Sequence, residues 1–202
     1  MITLYGTAQS RAARCAWMLE ELGVAYRHVP TSFKGECRTP EFLAINPNGH
    51  IPALRDGDEI YWESLAINLY LAEKYGKPGF WPATAEARGH VYQWSFWAIT
   101  EVEPLLITLL TQLVFLPEDR RDPKVAENAR NKLDTPCRIL EERLAKSAYL
   151  LGDAFSAADL NVASVFRLGS VIKLDLSAYP QLSRWLAECR ARPSHGKLKA
   201  MP

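Results

Sequence analysis

Four residues have the types and the spacing to act together on a small anionic ligand. Ser10 and Arg11 follow the first apolar segment and open the first helical pattern of the chain. Glu63 and Ser64 stand directly before a second, strongly apolar helical pattern. Because a helix N-terminus offers free N–H groups and a partial positive charge, each of these positions is suited to an anion.

The intervening segment Ile45–Leu54 predicts a turn followed by an interrupted strand. Its Asn-Pro and Asn-Gly pairs are strong turn signals. Proline cannot donate to a strand ladder, so Pro52 belongs at a strand's first residue, at an edge or at a bulge. If the Ile51–Pro52 bond is cis, the backbone of Ile51 is left free to pair with an extended peptide. A backbone clamp close to an anion site predicts a short peptide ligand.

This combination resembles the glutathione site of the cytosolic glutathione transferases. The run Asn-Pro-x-Gly-x-Ile-Pro-Ala-Leu from Asn46, followed by the Glu63-Ser64 pair, is a fairly specific match. Met1–Gly76 resembles the thioredoxin-like first domain of that family, and the chain from Arg88 to about Ala200 resembles its all-helical second domain. A bacterial, serine-type, theta- or beta-like member is the subclass that the pattern favours.

The resemblance implies that Ser10 contacts the glutathione thiol and stabilises its thiolate. Serine-type members carry their thiol-contacting group at this place, although a serine at such a position is most often a helix cap. Thr7 is the competing candidate for the thiol contact, whereas Tyr5 is expected to be structural. Arg11 pairs with a ligand carboxylate or the thiolate in this interpretation, or is simply exposed.

The same resemblance assigns the two ends of the tripeptide. The Ser64 hydroxyl and N–H would take the γ-glutamyl carboxylate, and Glu63 would take the ammonium; the alternative is a plain helix cap beside a solvated glutamate. His50 would reach the glycyl carboxylate, or else be an exposed turn residue. The predicted glutathione-binding set is therefore Ser10, Arg11, His50, Ile51, Pro52, Glu63 and Ser64.

Cys37 departs from the family pattern. Many bacterial relatives have histidine in a Gly-Glu-His-Arg run, where this chain has Gly-Glu-Cys-Arg. A cysteine is a poor donor to a carboxylate, so Lys34 or Arg38 would have to substitute. A mixed disulfide between Cys37 and glutathione is a further option.

The resemblance also implies a second-substrate site for a small apolar electrophile. Its predicted residues are Thr7, Tyr92, Trp94 and Trp97, the last three lying early in the first long helix of the second domain. An aromatic stripe at helical spacing is more often core or dimer interface, and both alternatives stay open.

Composition limits the binding partners and the cellular compartment that we expect for this protein. A formal charge of +1 gives no reason to expect nucleic acid or a charged membrane surface. Four cysteines without CxxC or metal-ligand spacing favour a reducing cytosol and no metal site. The N-terminus lacks the features of a signal peptide, and Leu105–Leu116 is too short to span a bilayer. We therefore expect a cytoplasmic location, with glutathione as co-substrate and no resident cofactor.

Residue periodicity predicts a thioredoxin-like βαβ-ββα domain over residues 1–77 with a mixed sheet. We expect strands at Ile2–Tyr5 and Val24–Val29, a helix from Ser10 that Gly23 ends, and a hairpin joining Ala53–Arg55 to Glu59–Tyr61. Ser64 is expected to cap the next helix. The hairpin and this helix complete the first domain.

Residues 78–84 are the predicted linker, and residues 85–202 the predicted all-α helical-bundle domain. Pro104 and Pro136 should kink or interrupt their helices. Ser156 and Asp159 form a capping-box pattern whose role is in folding. The last helix is predicted over Tyr179–Ala191, and the residues after it as a basic tail.

The function that these features favour is that of a homodimeric glutathione transferase, which ionises the thiol and conjugates it to small apolar electrophiles. Two alternatives remain. One is glutathione-dependent peroxide or disulfide reduction, or isomerisation. The other is a non-catalytic module that binds glutathione or serves in assembly. The dimer is implied by the resemblance alone.

Overall fold

The computed structural model describes residues 1–201, which form two compact units. The first unit is Met1–Trp81 together with the chain from Arg190 onward, and the second is Pro82–Cys189. The predicted second domain ran from residue 85 to residue 202. In the structure its last residues pack instead with the first unit, because they lie against the helix that follows the first strand.

A four-stranded mixed sheet is the centre of the first unit. Its strands are β1 (Ile2–Tyr5), β2 (Tyr26–Val29), β3 (Ala53–Asp56) and β4 (Glu59–Trp62). The spatial order is β2-β1-β3-β4; β1 pairs parallel with β2 and antiparallel with β3, and β3 pairs antiparallel with β4. This is the predicted βαβ-ββα sheet, with β2 beginning two residues later than expected.

Three helices complete the contiguous part of this unit: α1 (Ala12–Leu22), α2 (Pro40–Leu43) and α3 (Ser64–Tyr75). Gly23 ends α1 in the left-handed conformation at φ 67°, as predicted. All residues from Ala12 to Leu19 are buried, since α1 packs between the sheet, α3 and the C-terminal residues.

Ser64 does not cap α3, contrary to the prediction. Glu63 is the residue at the cap, with φ 71° and ψ 112°, and Ser64 is the first residue of the helix. The Ser64 side chain is buried and therefore turned toward α1 rather than toward the next turn of its own helix.

The second unit is all helical, as predicted. Two π-helical turns, at Ala98–Val102 and Thr111–Phe115, interrupt its first helical run. Pro104 follows the first π turn directly, whereas Pro136 is accommodated inside a continuous helix. The helices of this unit are α4 (Ala85–Trp97), α5 (Glu103–Leu110), α6 (Pro123–Leu144), α7 (Ala157–Val171) and α8 (Pro180–Ala191).

The capping box at the start of α7 is present. The Asp159 carboxylate accepts hydrogen bonds from the Ser156 N–H at 2.9 Å and its hydroxyl at 2.7 Å. It also accepts from the Leu150 N–H and the Trp185 indole. Burial raises the pKa of Asp159, and these four donors oppose that rise. The carboxylate thus joins three segments of this unit through one buried acceptor.

The run Ala85–Phe115 is continuous, and by length and composition alone it could cross a membrane. Core helices of soluble proteins meet the same criterion, and this run contains the buried Glu103. The expectation from sequence compared only its most apolar stretch, Leu105–Leu116, with the thickness of a bilayer, whereas the run that meets this criterion begins at Ala85.

The residues beyond α8 are helical rather than an irregular tail. Helix α9 (Pro193–Lys197) is followed by a 3₁₀ turn at Leu198–Ala200, and both contact α1. The sequence prediction missed this helix because Pro193 and Gly196 indicate a turn. Pro193 instead takes the first helical position, where a missing N–H has no cost.

Candidate glutathione site

The end of β1, the start of α1 and the segment before β3 meet at Gly6. A Cβ atom on Gly6 would overlap Ala12 Cβ, and it would lie 3.5 Å from both Ser10 Oγ and Ile51 Cβ. Gly6 has φ 139°, a conformation that side chains rarely adopt. The absence of a side chain here is what lets the start of α1 at Ala12 approach the end of β1, and Ser10 and Ile51 both lie beside this junction.

Ser10 acts on the first turn of α1, although the helix itself begins at Ala12. Its Oγ accepts a hydrogen bond from the Ala12 N–H at 3.1 Å and donates one to the Thr7 carbonyl at 2.8 Å. The hydroxyl is half-buried and already serves as a cap. To donate to a ligand sulfur it would have to rotate away from Thr7.

Thr7, the competing residue for the thiol contact, has an unusual hydroxyl. Its Oγ1 is buried, and within residues 1–201 it has no hydrogen-bond partner. An unpaired buried hydroxyl costs free energy, so one is expected only where something else compensates.

The peptide bond between Ile51 and Pro52 is cis. The backbone N–H and C=O of Ile51 make no hydrogen bond within the described part of the chain. The turn before it is fixed by the buried Asn46, whose side chain donates to the His50 carbonyl at 2.7 Å and accepts from the Asn48 N–H at 3.1 Å. This buried asparagine fixes the turn before Ile51 and so helps to position its free backbone.

The residues expected at the glycyl end of a tripeptide surround this turn. His50 is exposed at its end, and Arg38 donates to the Asn48 carbonyl at 3.2 Å. Cys37 is only 2% exposed and packs with Phe42 and Ala53, so its thiol is closed off from a mixed disulfide in this conformation. Lys34 is exposed on the neighbouring loop. Of the two proposed substitutes for the missing histidine, Arg38 is the one that contacts the turn.

The anion site at the start of α3 contains a residue that the sequence reasoning missed. Arg14 is 3% exposed, and its Nη1 donates to Ser64 Oγ at 3.3 Å. The Cys15 thiol donates to the Ser64 carbonyl at 3.4 Å. A buried guanidinium behind a helix N-terminus adds a full positive charge to the partial charge of the helix. The sequence does contain a signal for this residue, because Arg14 is a charged residue within the apolar pattern of the first predicted helix.

Cys15 is not a candidate nucleophile. Burial raises the pKa of its thiol well above the ordinary value, and the nearby Arg14 only partly opposes that rise. The thiolate is the reactive form of cysteine, and this side chain is neutral at physiological pH.

The predicted second-substrate residues divide between the two units. Thr7 lies in the first unit, and Tyr92, Trp94 and Trp97 lie on α4 of the second. Trp94 and Trp97 contact each other edge to face at 5.2 Å, and Tyr92 is exposed. Residues 1–201 contain no group of three or more His, Cys, Asp or Glu side chains that could hold a metal ion.

Comparison with known proteins decides the family. A family model described as glutathione S-transferase, N-terminal domain matches residues 1–73, and one described as glutathione S-transferase, C-terminal domain matches residues 102–193. The chain belongs to the glutathione S-transferase family. The predicted family, fold class and enzyme class of this glutathione transferase are thereby confirmed.

Similarity to individual glutathione S-transferases extends over the whole chain. A probable glutathione S-transferase GSTF2 of Oryza sativa subsp. japonica is 37% identical, covering 98% of this chain and 95% of the relative. Glutathione S-transferase GstB of Escherichia coli (strain K12) is 32% identical, covering 100% and 99%. A theta class glutathione S-transferase from Xanthomonas axonopodis pv. citri, solved with glutathione bound, superimposes with a TM-score of 0.88 at 31% identity, covering 97% and 95%.

Proposed function

We propose that this glutathione transferase binds glutathione along Ile51, Glu63 and Ser64, stabilises its thiolate beside Ser10, and conjugates it to small apolar electrophiles. The observation that carries the proposal is the free backbone of Ile51 beside Ser10, at the Gly6 junction. A γ-glutamyl tripeptide has a backbone to pair with Ile51 and a thiol in its middle residue. The similarity to a solved relative with glutathione bound supports glutathione as the ligand.

The pairing register supports a single continuous binding surface. Ala53 pairs with Trp62 at the end of the β3–β4 ladder. The cis peptide bond at Ile51–Pro52 and the start of α3 at Ser64 both lie within two residues of this pair, so the two proposed contacts are close to each other in the fold. A tripeptide held by the Ile51 backbone would place its γ-glutamyl carboxylate at Ser64, near Arg14, and its ammonium at Glu63.

Stabilising the thiolate is the chemical contribution of the first unit. A free thiol has a pKa of about 8.5, and each unit by which the pKa falls represents ~1.4 kcal/mol. One hydroxyl donor and the N-terminus of α1 are together sufficient for one to two units, the order of a charge-assisted hydrogen bond. Holding the electrophile against that thiolate supplies the remainder of the rate gain.

The rest of the proposal concerns the residues that contact the electrophile, the oligomeric state and the cellular location. The resemblance favours Tyr92, Trp94 and Trp97 of the second unit as contacts of the electrophile. Arg11 and His50, with Arg38 in place of the missing histidine, meet the carboxylates of glutathione. The protein acts as a homodimer in the cytoplasm and needs no metal or resident cofactor. These assignments rest on the resemblance in sequence and on the exposed Tyr92 of α4.

Ser10→Ala tests the thiol contact. We expect roughly tenfold or greater loss of conjugation rate below pH 7, since losing one unit of thiolate stabilisation lowers the thiolate fraction tenfold. The apparent pKa in the pH profile of kcat/KM for the electrophile, measured at saturating glutathione, should rise correspondingly, while retention on immobilised glutathione stays intact. Thr7→Val is the matched comparison. If only Thr7→Val changes the profile, Thr7 is the thiol's partner and Ser10 is a cap.

A non-catalytic glutathione-binding module is the second candidate, because the Ser10 hydroxyl is already committed to Thr7 and Ala12. Retention on immobilised glutathione without turnover toward a broad panel of electrophiles would favour it. Turnover with peroxides or disulfides but not electrophiles would favour the reductase alternative.

Glu63→Gly separates binding from folding at the γ-glutamyl end. At φ 71° a non-glycine residue costs about 1–2 kcal/mol, and glycine's extra freedom in the unfolded chain costs about 0.5–1 kcal/mol, so stability should stay the same or rise by up to about 1.5 kcal/mol. Loss of the carboxylate should nevertheless weaken glutathione binding about tenfold or more by calorimetry. Glu59→Gly, on an exposed strand position, is the control. Unchanged affinity in Glu63→Gly would show that Glu63 is merely solvated.

A further inference from the structure

The C-terminal residues 192–200, here called the C-terminal strap, lie along the second half of α1. Within the first unit, the strap meets three α1 side chains that point to one face of the helix: Trp17, Glu20 and Glu21. None of these residues belongs to the predicted glutathione-binding set. The strap nevertheless contacts the helix that follows Ser10 and contains Arg14.

The centre of this contact is buried and polar. The Trp17 indole is fully buried and donates to Ser194 Oγ at 3.2 Å. Ser194 in turn donates to Glu21, and the His195 ring packs edge-on against Trp17 with centroids 4.7 Å apart. Ser194 is thus both acceptor and donor in one chain of hydrogen bonds, which fixes the strap in register along α1.

Glu21 joins the strap to α1 by a forked ion pair. Arg192 donates to both Glu21 carboxylate oxygens, through Nε at 3.0 Å and through Nη2. Burial raises the pKa of Glu21, but the hydrogen bonds from Arg192 and Ser194 outweigh it and hold the pKa below the ordinary value. Lys197 adds a contact to Glu20 at 2.8 Å, but its side chain is 62% exposed, and such surface pairs contribute little.

Helix α1 connects the strap to the glutathione site. Trp17 lies one helical turn after Arg14, on the same face, and Arg14 contacts Ser64. Ser10 caps the opposite end of the same 11-residue helix. Because a short helix moves as a rigid body, an adjustment where the strap holds it changes the positions of Arg14 and Ser10 together.

We propose that Arg192 and Ser194 are positioning residues for glutathione, acting through Glu21 and Trp17 to set the placement of α1. This rests on the proposed function, since it requires that α1 carry part of the glutathione site. It assigns to the end of the chain a role in the affinity for glutathione and in the acidity of the bound thiol.

The test compares Arg192→Gln and Ser194→Ala with Lys197→Gln as the matched control on the same strap. All are assayed well below their melting temperatures, with circular dichroism as the check on folding. We expect KM for glutathione to rise roughly three- to tenfold in the first two variants, the scale found for residues that couple to a site without touching the ligand. The pKa of the bound thiol, from the pH profile of kcat/KM for the electrophile at saturating glutathione, should rise as well, and Lys197→Gln should match the wild type.

A double-mutant cycle gives the second measurement. Glu21→Gln should reproduce Arg192→Gln, and the double variant should add little to either, because both remove the same pair. Lower melting temperatures with unchanged KM and unchanged thiol pKa would overturn the inference, leaving the strap a purely stabilising element. Equal effects in Lys197→Gln would also overturn it. If the wild type itself neither binds nor uses glutathione, the proposed function fails, whatever the variants do.

Discussion

Gly6→Ala should lower the free energy of unfolding by about 2–6 kcal/mol and abolish glutathione binding. The added Cβ would overlap Ala12 Cβ in a packed region, and overpacking of this kind costs ~1–3 kcal/mol. The φ of 139° adds a further cost of about 1–3 kcal/mol for a residue with a side chain. Relief of the overlap must push α1 away from the sheet, which moves Ser10 from Ile51. Urea unfolding and calorimetric titration with glutathione measure the two effects.

Gly23→Ala is the matched control for this substitution. Gly23 also has a positive φ, 67°, but a Cβ there would meet nothing within 4 Å. It should therefore lose only about 1 kcal/mol of stability and keep its affinity for glutathione. Equal losses in the two variants would mean that backbone conformation, rather than the close approach of α1, is what Gly6 provides.

Arg14→Met should weaken glutathione binding roughly 10- to 100-fold. Two unit charges about 5 Å apart at an effective dielectric constant near 20 interact by ~3 kcal/mol, and part of that is lost when the buried cation behind Ser64 becomes a thioether of similar size. Folding stability should also fall, by about 1–3 kcal/mol, since Ser64 loses one donor. Titration at two salt concentrations checks the electrostatic origin, because a buried charge is screened only weakly.

Arg27→Met, at an exposed position of β2, removes the same charge far from any predicted ligand contact. Its affinity for glutathione should equal that of the wild type. Arg14→Lys keeps the charge but loses the planar fork, so an intermediate affinity is expected. An Arg14→Met protein that binds glutathione normally would show that the N-terminus of α3 alone accounts for the anion site.

The sequence predicted the parts of the site that depend on neighbours along the chain. The turn at Asn46, the hairpin between β3 and β4, the end of α1 at Gly23 and the capping box at Ser156 all depend on backbone preferences within a few residues. The roles given to Ser10, Ile51 and Glu63-Ser64 came from a motif that is equally local. These features depend on residues close together in the sequence, so they can be predicted before the fold is known.

The predictions that failed concern side chains whose partners are distant in sequence. Ser64 was expected to cap its own helix, but Arg14, 50 residues earlier, draws its hydroxyl toward α1. The C-terminal residues were expected to be a tail, but Trp17 and Glu21 give them buried partners more than 170 residues away. Local patterns carry no information about such pairs, because the pairs exist only after the strands and helices have packed.

The sequence by itself determined the family, the two-part architecture and the short list of residues that could hold a tripeptide, since turn chemistry, helix periodicity and a specific motif are all local. Only the tertiary structure decided which other residues support these candidates. Gly6 leaves room for α1 to approach the sheet, Arg14 places a buried charge behind Ser64, and the C-terminal strap contacts α1. The physical reason is that exclusion of volume, burial of charge and long-range hydrogen bonding are properties of packed elements, and no single stretch of the chain possesses them.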